Sequence, residues 1–114
     1  MKKVRFFLGL VMAVILCASC ASNSSVENRF GPYSEAEGYY QKGKYGEAAA
    51  QYEKYLSENP QGSLATVASY YLAKCYASLG KTDAAKAGFQ KIIADSPKTT
   101  WADFSKKQLE ILGA

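Results

Sequence analysis

The sequence predicts an all-α fold, an α-solenoid of two stacked helical hairpins followed by a capping helix. The first reason is a repeat with a step of 37 residues, in which Gly43 returns as Gly80 and Pro60 returns as Pro97. The second is that apolar residues recur at the three- and four-residue spacing typical of amphipathic helices. The third is that no segment shows the alternation of apolar and polar residues expected of a strand. Internal repeats of this length are the signature of stacked supersecondary units.

Residues 1–19 have the layout of a secretory signal peptide. A basic start with Lys2, Lys3 and Arg5 precedes an apolar run, residues 6–16, and small residues follow. This run is shorter than the roughly 20 apolar residues that a transmembrane helix needs. We therefore expect residues 1–19 to be a targeting segment that is no part of the fold.

The end of this segment resembles a bacterial lipobox, since Ala18 and Ser19 precede Cys20. The resemblance implies that Cys20 is lipidated, with residues 20–30 as a polar tether. Cys17 stands where Leu is usual, so plain secretory cleavage and an uncleaved anchor are the alternatives. With Ala21 next, the expected location is the cell envelope, lipid-anchored in the outer membrane and facing the periplasm.

Composition argues against several functional classes. The chain has 14 Lys and Arg against 10 Asp and Glu, and three of the basic residues lie in the signal segment. The remainder is nearly neutral, which argues against nucleic-acid binding. The chain has no His, no metal-ligand cluster and no glycine-rich phosphate loop, so we expect no cofactor, no metal and no enzymatic activity. Cys75 lies on an apolar helix stripe, as an inert buried thiol would.

The domain is expected to cover residues 31–114, with repeat units at about 33–62 and 63–99 and a capping helix at 100–112. The first helix begins either at Pro32 or at a capping box that starts with Ser34. Gly43 and Gly80 end the first helix of each unit. The predicted helices span residues 32–42, 45–59, 63–79, 82–95 and 100–112. The third is expected to be the longest, and Thr82 and Thr100 are expected N-caps.

These residues resemble the tetratricopeptide repeat. The second unit carries the family pattern at Leu72, Ala73, Tyr76, Gly80, Ala85, Phe89 and Pro97. The first unit matches at Ala36, Tyr39, Gly43, Ala48, Tyr52 and Pro60, with Glu35 where Leu is usual. The 37-residue step is similar to that of repeats in the Tol–Pal-associated coordinator of cell division and in the lipoprotein of the outer-membrane β-barrel assembly machine. The resemblance implies a non-catalytic protein–protein interaction scaffold of the bacterial envelope.

In such solenoids the inner groove is lined by residues of the first helix of each unit that point away from the second helix. The phase of the repeat predicts these partner-binding residues to be Tyr33, Glu37, Tyr40, Tyr70 and Lys74. Tyrosine is enriched at recognition surfaces, so we expect an extended peptide or protein segment of an envelope partner to bind there. Alternatively, the tyrosines pack against the tether or the last helix.

The alternative function is a self-associating structural subunit of an outer-membrane assembly or division complex. Two and a half repeats make a thin core, and solenoids usually need about three. Apolar residues of the last helix, such as Trp101, Phe104 or Leu112, would then pair with a second copy.

Overall fold

The structure, a computed structural model, describes residues 31–113 and contains five α-helices and no strand in that range. The helices are α1 Gly31–Gln41, α2 Tyr45–Glu58, α3 Ala65–Ser78, α4 Thr82–Asp95 and α5 Thr100–Ile111. The predicted α-solenoid is confirmed. The predicted signal segment, tether and lipidated Cys20 lie outside the described residues. Within residues 31–113, no helix is long and apolar enough to cross a membrane.

The helices form two layers. Each helix packs against the next along the chain, and α3 also touches α5. Neighbours are antiparallel, because Tyr33 at the start of α1 contacts Tyr55 near the end of α2, while Tyr40 contacts Tyr45 at the opposite ends. Helices α1, α3 and α5 therefore lie side by side in one layer, and α2 and α4 form the other.

The two turns inside the hairpins have the same backbone geometry. Gly43 and Gly80 have φ values of 74° and 78°, in the left-handed region that glycine adopts without steric cost. The amide of Lys44 donates to the Tyr39 carbonyl at 2.9 Å, and that of Lys81 donates to the Tyr76 carbonyl at 2.8 Å. These bonds satisfy carbonyls at the helix end, as in a Schellman motif. The repeated glycine therefore sets the hairpin geometry in both units.

Replacing Gly80 with Ala should destabilise the fold by about 1–2 kcal/mol, because an L side chain is strained at positive φ. Gly38→Ala is the matched control: Gly38 lies within α1, and a Cβ there would meet no atom within 4 Å. The control should stabilise the fold by about 0.5–1 kcal/mol, since Ala lowers the entropy of the unfolded chain. Urea unfolding of both variants measures the difference, and equal effects would contradict this explanation of the turn.

The third predicted helix starts later than expected, and the prediction that it is the longest is wrong. α3 begins at Ala65 and has 14 residues, the same length as α2 and α4. The chain is held in a turn up to Leu64, where the Ala65 amide bonds to the Gly62 carbonyl at 3.0 Å. Gly62 lies so close to Tyr55 that a Cβ would come within 2.9 Å of the Tyr55 hydroxyl oxygen.

Two of the predicted N-caps are also corrected. Thr82 is the first residue of α4, and Lys81 before it makes no side-chain cap bond. Thr99, one residue before Thr100, caps α5: its Oγ1 accepts from the Ala102 amide at 3.2 Å and its backbone is extended. The predicted capping box at Ser34 does not mark the start of α1, because Gly31 and Pro32 are already helical. Thr82 and Thr100 are thus each the first helical residue and not the cap before it, and α1 begins three residues before Ser34.

Thr99→Ala should therefore destabilise the protein by about 1 kcal/mol through loss of the cap. Thr82→Ala should change stability by less than about 0.5 kcal/mol, because Thr82 caps nothing. Thermal unfolding followed by circular dichroism compares the two substitutions. A larger effect at Thr82 would restore the assignment made from the sequence.

Small residues allow the helices to approach closely. Ala36 and Ala48 are fully buried between α1 and α2, as Ala73 and Ala85 are between α3 and α4. At Gly88 a Cβ would lie 3.0 Å from the Ala73 Cβ, so α3 and α4 nearly touch there. Large side chains fill the remaining space, and the most deeply buried of them are Tyr52, Tyr55 and Phe89. The recurring small residues of the repeat therefore serve the close packing of the helices.

Candidate functional site

The layer of α1, α3 and α5 presents a surface of polar, aromatic and apolar side chains, which we call the A face. Its members are exposed or half-buried, and they are Glu37, Tyr40, Tyr71, Lys74, Phe104, Gln108 and Ile111. Three of these, Glu37, Lys74 and Ile111, occupy the same position in successive units. The repeat therefore places one residue from each helix of the layer in a row across the A face.

Lys74 lies at the middle of this row and is held by aromatic groups. Its ammonium nitrogen is 5.9 Å from the centroid of the Tyr70 ring, a cation–π geometry. Desolvation at its half-buried site lowers the pKa of Lys74, but its interactions with Tyr40 and Tyr70 outweigh that effect, so the pKa is raised. Lys74 is therefore a positioned cation at neutral pH.

The structure places two of the predicted binding tyrosines in the core. Tyr33 and Tyr70 are only 9 % and 6 % exposed. The Tyr33 ring packs on Tyr52 and Tyr55 at centroid distances of 5.8 and 5.6 Å. These partners belong to α2, so the expectation that Tyr33 points away from the second helix is wrong. A ring of this size gains more from burial against its neighbour than from exposure in a groove.

Tyr70 is buried by the last two helices. Its ring lies 5.7 Å from Phe89 on α4 and 5.3 Å from Trp101 on α5, measured between centroids. It also interacts with Gln108 of the A face. Packing against the last helix, the alternative for these tyrosines, is thus confirmed for Tyr70. A role for Tyr33 and Tyr70 in partner binding stays a prediction. In the structure their rings lie in the layer beneath the exposed residues of the A face.

Burial keeps the Tyr33 hydroxyl neutral. Desolvation, followed by the nearby Glu37 carboxylate, raises the pKa of Tyr33 to about 12. Desolvation and a hydrogen bond that its hydroxyl donates to Glu53 likewise raise the pKa of Tyr76 to about 12. Both groups favour the protonated form more strongly in the folded chain than in the unfolded one. Their contribution to stability is therefore complete below pH 10 and is lost as the pH rises towards 12.

The melting temperature should accordingly fall between pH 10 and pH 12 more steeply in the natural chain than in a Tyr33→Phe variant. The variant lacks one of the groups that must ionise on unfolding. Circular dichroism melts at intervals of half a pH unit measure the slope, and tyrosinate absorbance follows ionisation directly. Parallel curves for the two proteins would show that Tyr33 does not contribute to the alkaline loss.

Tyr71 is a central residue of the A face that the sequence pattern did not indicate as a binding residue. Its ring lies 5.2 Å from Tyr40 on α1 and 6.1 Å from Trp101 on α5, between centroids. It also stacks on Tyr52 with an interplanar angle of 15°. The equivalent residue in the first unit is Ser34, so the repeat pattern does not reveal this role. The cluster of tyrosines across units was the available signal.

Two apolar residues of α5 are exposed on the A face. Phe104 is 40 % and Ile111 is 74 % exposed, and their seven-residue spacing puts them on one side of the helix. Trp101 and Leu112, which were expected to expose apolar surface, are half-buried. They pack against a core cluster made of Tyr70, Ala73, Ala85, Phe89 and Ile92. Sequence reasoning did not consider Ile111, although the 37-residue step from Lys74 leads directly to it.

A concave feature lies on the other side of α3, between α2 and α4. It is a groove with a volume of about 770 Å³. It is lined by small and polar residues of α3 such as Thr66 and Ser69, and by Lys91 and Asp95 of α4. It contains none of the residues predicted to bind a partner. The exposed apolar residues of α5, Phe104 and Ile111, lie on the A face and not in this groove.

A family model described as tetratricopeptide repeat matches residues 39–106. The chain belongs to this family. No curated protein and no solved structure matches the chain significantly. Tetratricopeptide repeats generally act as protein–protein interaction scaffolds, and this general role applies to the present protein. Its finer similarity to envelope lipoproteins and division proteins stays a prediction.

Cys75, the cysteine within the described residues, is not an activated nucleophile. Cys75 is completely buried, and desolvation raises the pKa of its thiol to about 11. The thiolate is the reactive form of cysteine, so this residue is chemically inert at neutral pH. Its place between the helices is that of a small apolar side chain.

Proposed function

We propose that this tetratricopeptide-repeat protein is a non-catalytic, membrane-anchored interaction scaffold of the bacterial cell envelope. It binds an extended peptide or protein segment on the A face. The observation that supports this most directly is the exposure of Phe104 and Ile111 on the face that also carries the positioned charge of Lys74. An apolar surface with a polar rim is the usual composition of a recognition site.

The aromatic groups beneath the A face support the same proposal. Tyr40 packs edge-on against Tyr45 and Tyr71 at centroid distances of 5.4 and 5.2 Å. These contacts restrict its side-chain rotamers before any ligand arrives. A surface built from restricted aromatic side chains loses little conformational entropy on binding, so more of the contact energy remains as affinity.

The anchor is proposed from the N-terminal sequence. Cys20 would carry the lipid, and residues 21–30 would connect it to the first helix at Gly31. A tether of this length spans roughly 30 Å when fully extended. The A face would therefore act on partners close to the membrane surface.

Assembly by stacking copies end to end is disfavoured by the outer side of α5. Ala73 of α3 is buried against α4, but its equivalent one step later is the exposed Glu110. Ser69 is likewise replaced by Lys106, which lies 4.0 Å from Asp103 in an exposed ion pair. A further helix could not pack there as α4 packs on α3.

In-cell photocrosslinking tests the proposed function. A photoreactive amino acid replaces Ile111 on the A face or, as the control, Lys98 in the exposed turn before α5. Mass spectrometry should identify the same envelope protein repeatedly from position 111 and not from position 98. Cys20→Ser should move the protein out of the membrane fraction and reduce the yield of that crosslink.

The substitutions that probe binding must spare the fully buried residues. Tyr40→Ser combined with Phe104→Ser should abolish the crosslink while circular dichroism shows unchanged helicity. Tyr33 and Tyr70 are unsuitable for this purpose, because they are buried and their loss would unfold the domain. Equal crosslinking from both positions, or an unchanged yield in the Tyr40 and Phe104 variant, would contradict a binding role for the A face.

A further inference from the structure

The row of equivalent residues across the A face has an ordered polarity. Glu37 on α1, Lys74 on α3 and Ile111 on α5 stand at one repeat position, 37 residues apart. The first is acidic, the second basic and the third apolar. Between the first two units, an equivalent position that supports the stack keeps its character instead, as Ala36 and Ala73 do. The variation at this position therefore concerns the surface and not the packing of the helices.

The two charges of the row are available to a ligand. Within residues 31–113 the structure contains one ion pair, between Lys106 and Asp103, so Glu37 and Lys74 are not paired with each other. Glu37 is exposed and interacts with the Tyr33 hydroxyl, which is a neutral donor. Lys74 is oriented by the Tyr70 ring. Each charge is thus directed by an aromatic residue of its own helix.

The spacing of the row suits an extended chain. Helices that lie side by side are separated by roughly one helix diameter, about 10–12 Å including side chains. An extended peptide advances about 3.3 Å per residue, so it covers this distance in three or four residues. A peptide that crosses the three helices would meet the acidic, basic and apolar positions in turn.

Building on the proposed function, we infer that the A face recognises an extended segment that carries a basic residue, an acidic residue and a large apolar residue in that order, three or four residues apart. The basic residue pairs with Glu37, and the acidic residue pairs with Lys74. The apolar residue packs on Ile111 and Phe104. The acidic residue is always the central one, whichever way the segment runs, because Lys74 is the central position of the row.

The order of charges gives specificity as well as affinity. A segment whose central residue is basic would bring two positive charges together at Lys74, where part of the surrounding water is displaced. Like charges brought into contact at an interface cost binding energy, so such a segment is rejected. The ion pair at the exposed Glu37 contributes less to this specificity, since solvent screens its charges.

Two capped peptides of identical composition test this inference on the full chain in detergent. The first is Lys-Ser-Gly-Ser-Glu-Ser-Gly-Ser-Leu, and the second exchanges its Lys and Glu. Fluorescence anisotropy should show that the natural protein prefers the first peptide by about tenfold, as expected from two exposed or half-exposed pairs that turn from attractive to repulsive. The preference should shrink in 0.5 M salt.

The exchange variant Glu37→Lys with Lys74→Glu should reverse the preference and leave the net charge unchanged. The matched control exchanges two exposed charges away from the row, Glu35→Lys with Lys98→Glu, and should keep the original preference. Circular dichroism verifies that each variant is folded. If the exchange at Lys74 impairs folding, Glu37→Lys alone serves, with an expected two- to fivefold loss of preference.

The result that overturns the inference is equal binding of the two peptides, or a preference that the exchange variant does not alter. Binding without a preference leaves the proposed peptide-binding function intact and removes only the charge order. Failure of both peptides to bind at 1 mM also overturns the inference. In that case the crosslinking from position 111 decides the proposed function independently.

Discussion

The contact of the Tyr71 ring with residues of both repeat units and of the last helix is the interaction on which the stack depends. A single helical hairpin of this size cannot bury enough apolar surface, so each unit is stabilised by its neighbour. Tyr71 stacks on Tyr52 of the first unit and touches Trp101 of α5. It packs against both clusters of the hydrophobic core. Two and a half repeats can therefore share one continuous core despite their small number.

This aromatic interior also determines what the A face can be. Tyr33 and Tyr70 fill the space between helices, so their rings are not available as a flat binding platform. The buried rings of Tyr33 and Tyr70 form a rigid base for the charged side chains of Glu37 and Lys74. A partner bound to this face would therefore be recognised by charges and by the exposed residues of α5. The many tyrosines hold these groups in place.

Much of the fold could be predicted because its determinants are local. Gly43 and Gly80 end helices through a backbone conformation that the residue type itself favours. The helix boundaries predicted from the pattern lie within about two residues of the observed ones, whereas the capping side chains were misassigned. Thr82 and Thr99 show why: both suit an N-cap, and only the path of the preceding turn decides which of them reaches an amide. That path depends on contacts with other helices.

The sequence by itself determined the repeat, the hairpin turns, the small residues at the close approaches and the family. These features follow from periodicity and from the conformational limits of single residues. Only the tertiary structure decided that Tyr33 and Tyr70 are buried, that Tyr71 joins the units and that Ile111 is exposed. The direction in which a large side chain points is set by the space that neighbouring helices leave. Because that space is created by residues far apart in the chain, it is not readable from one segment.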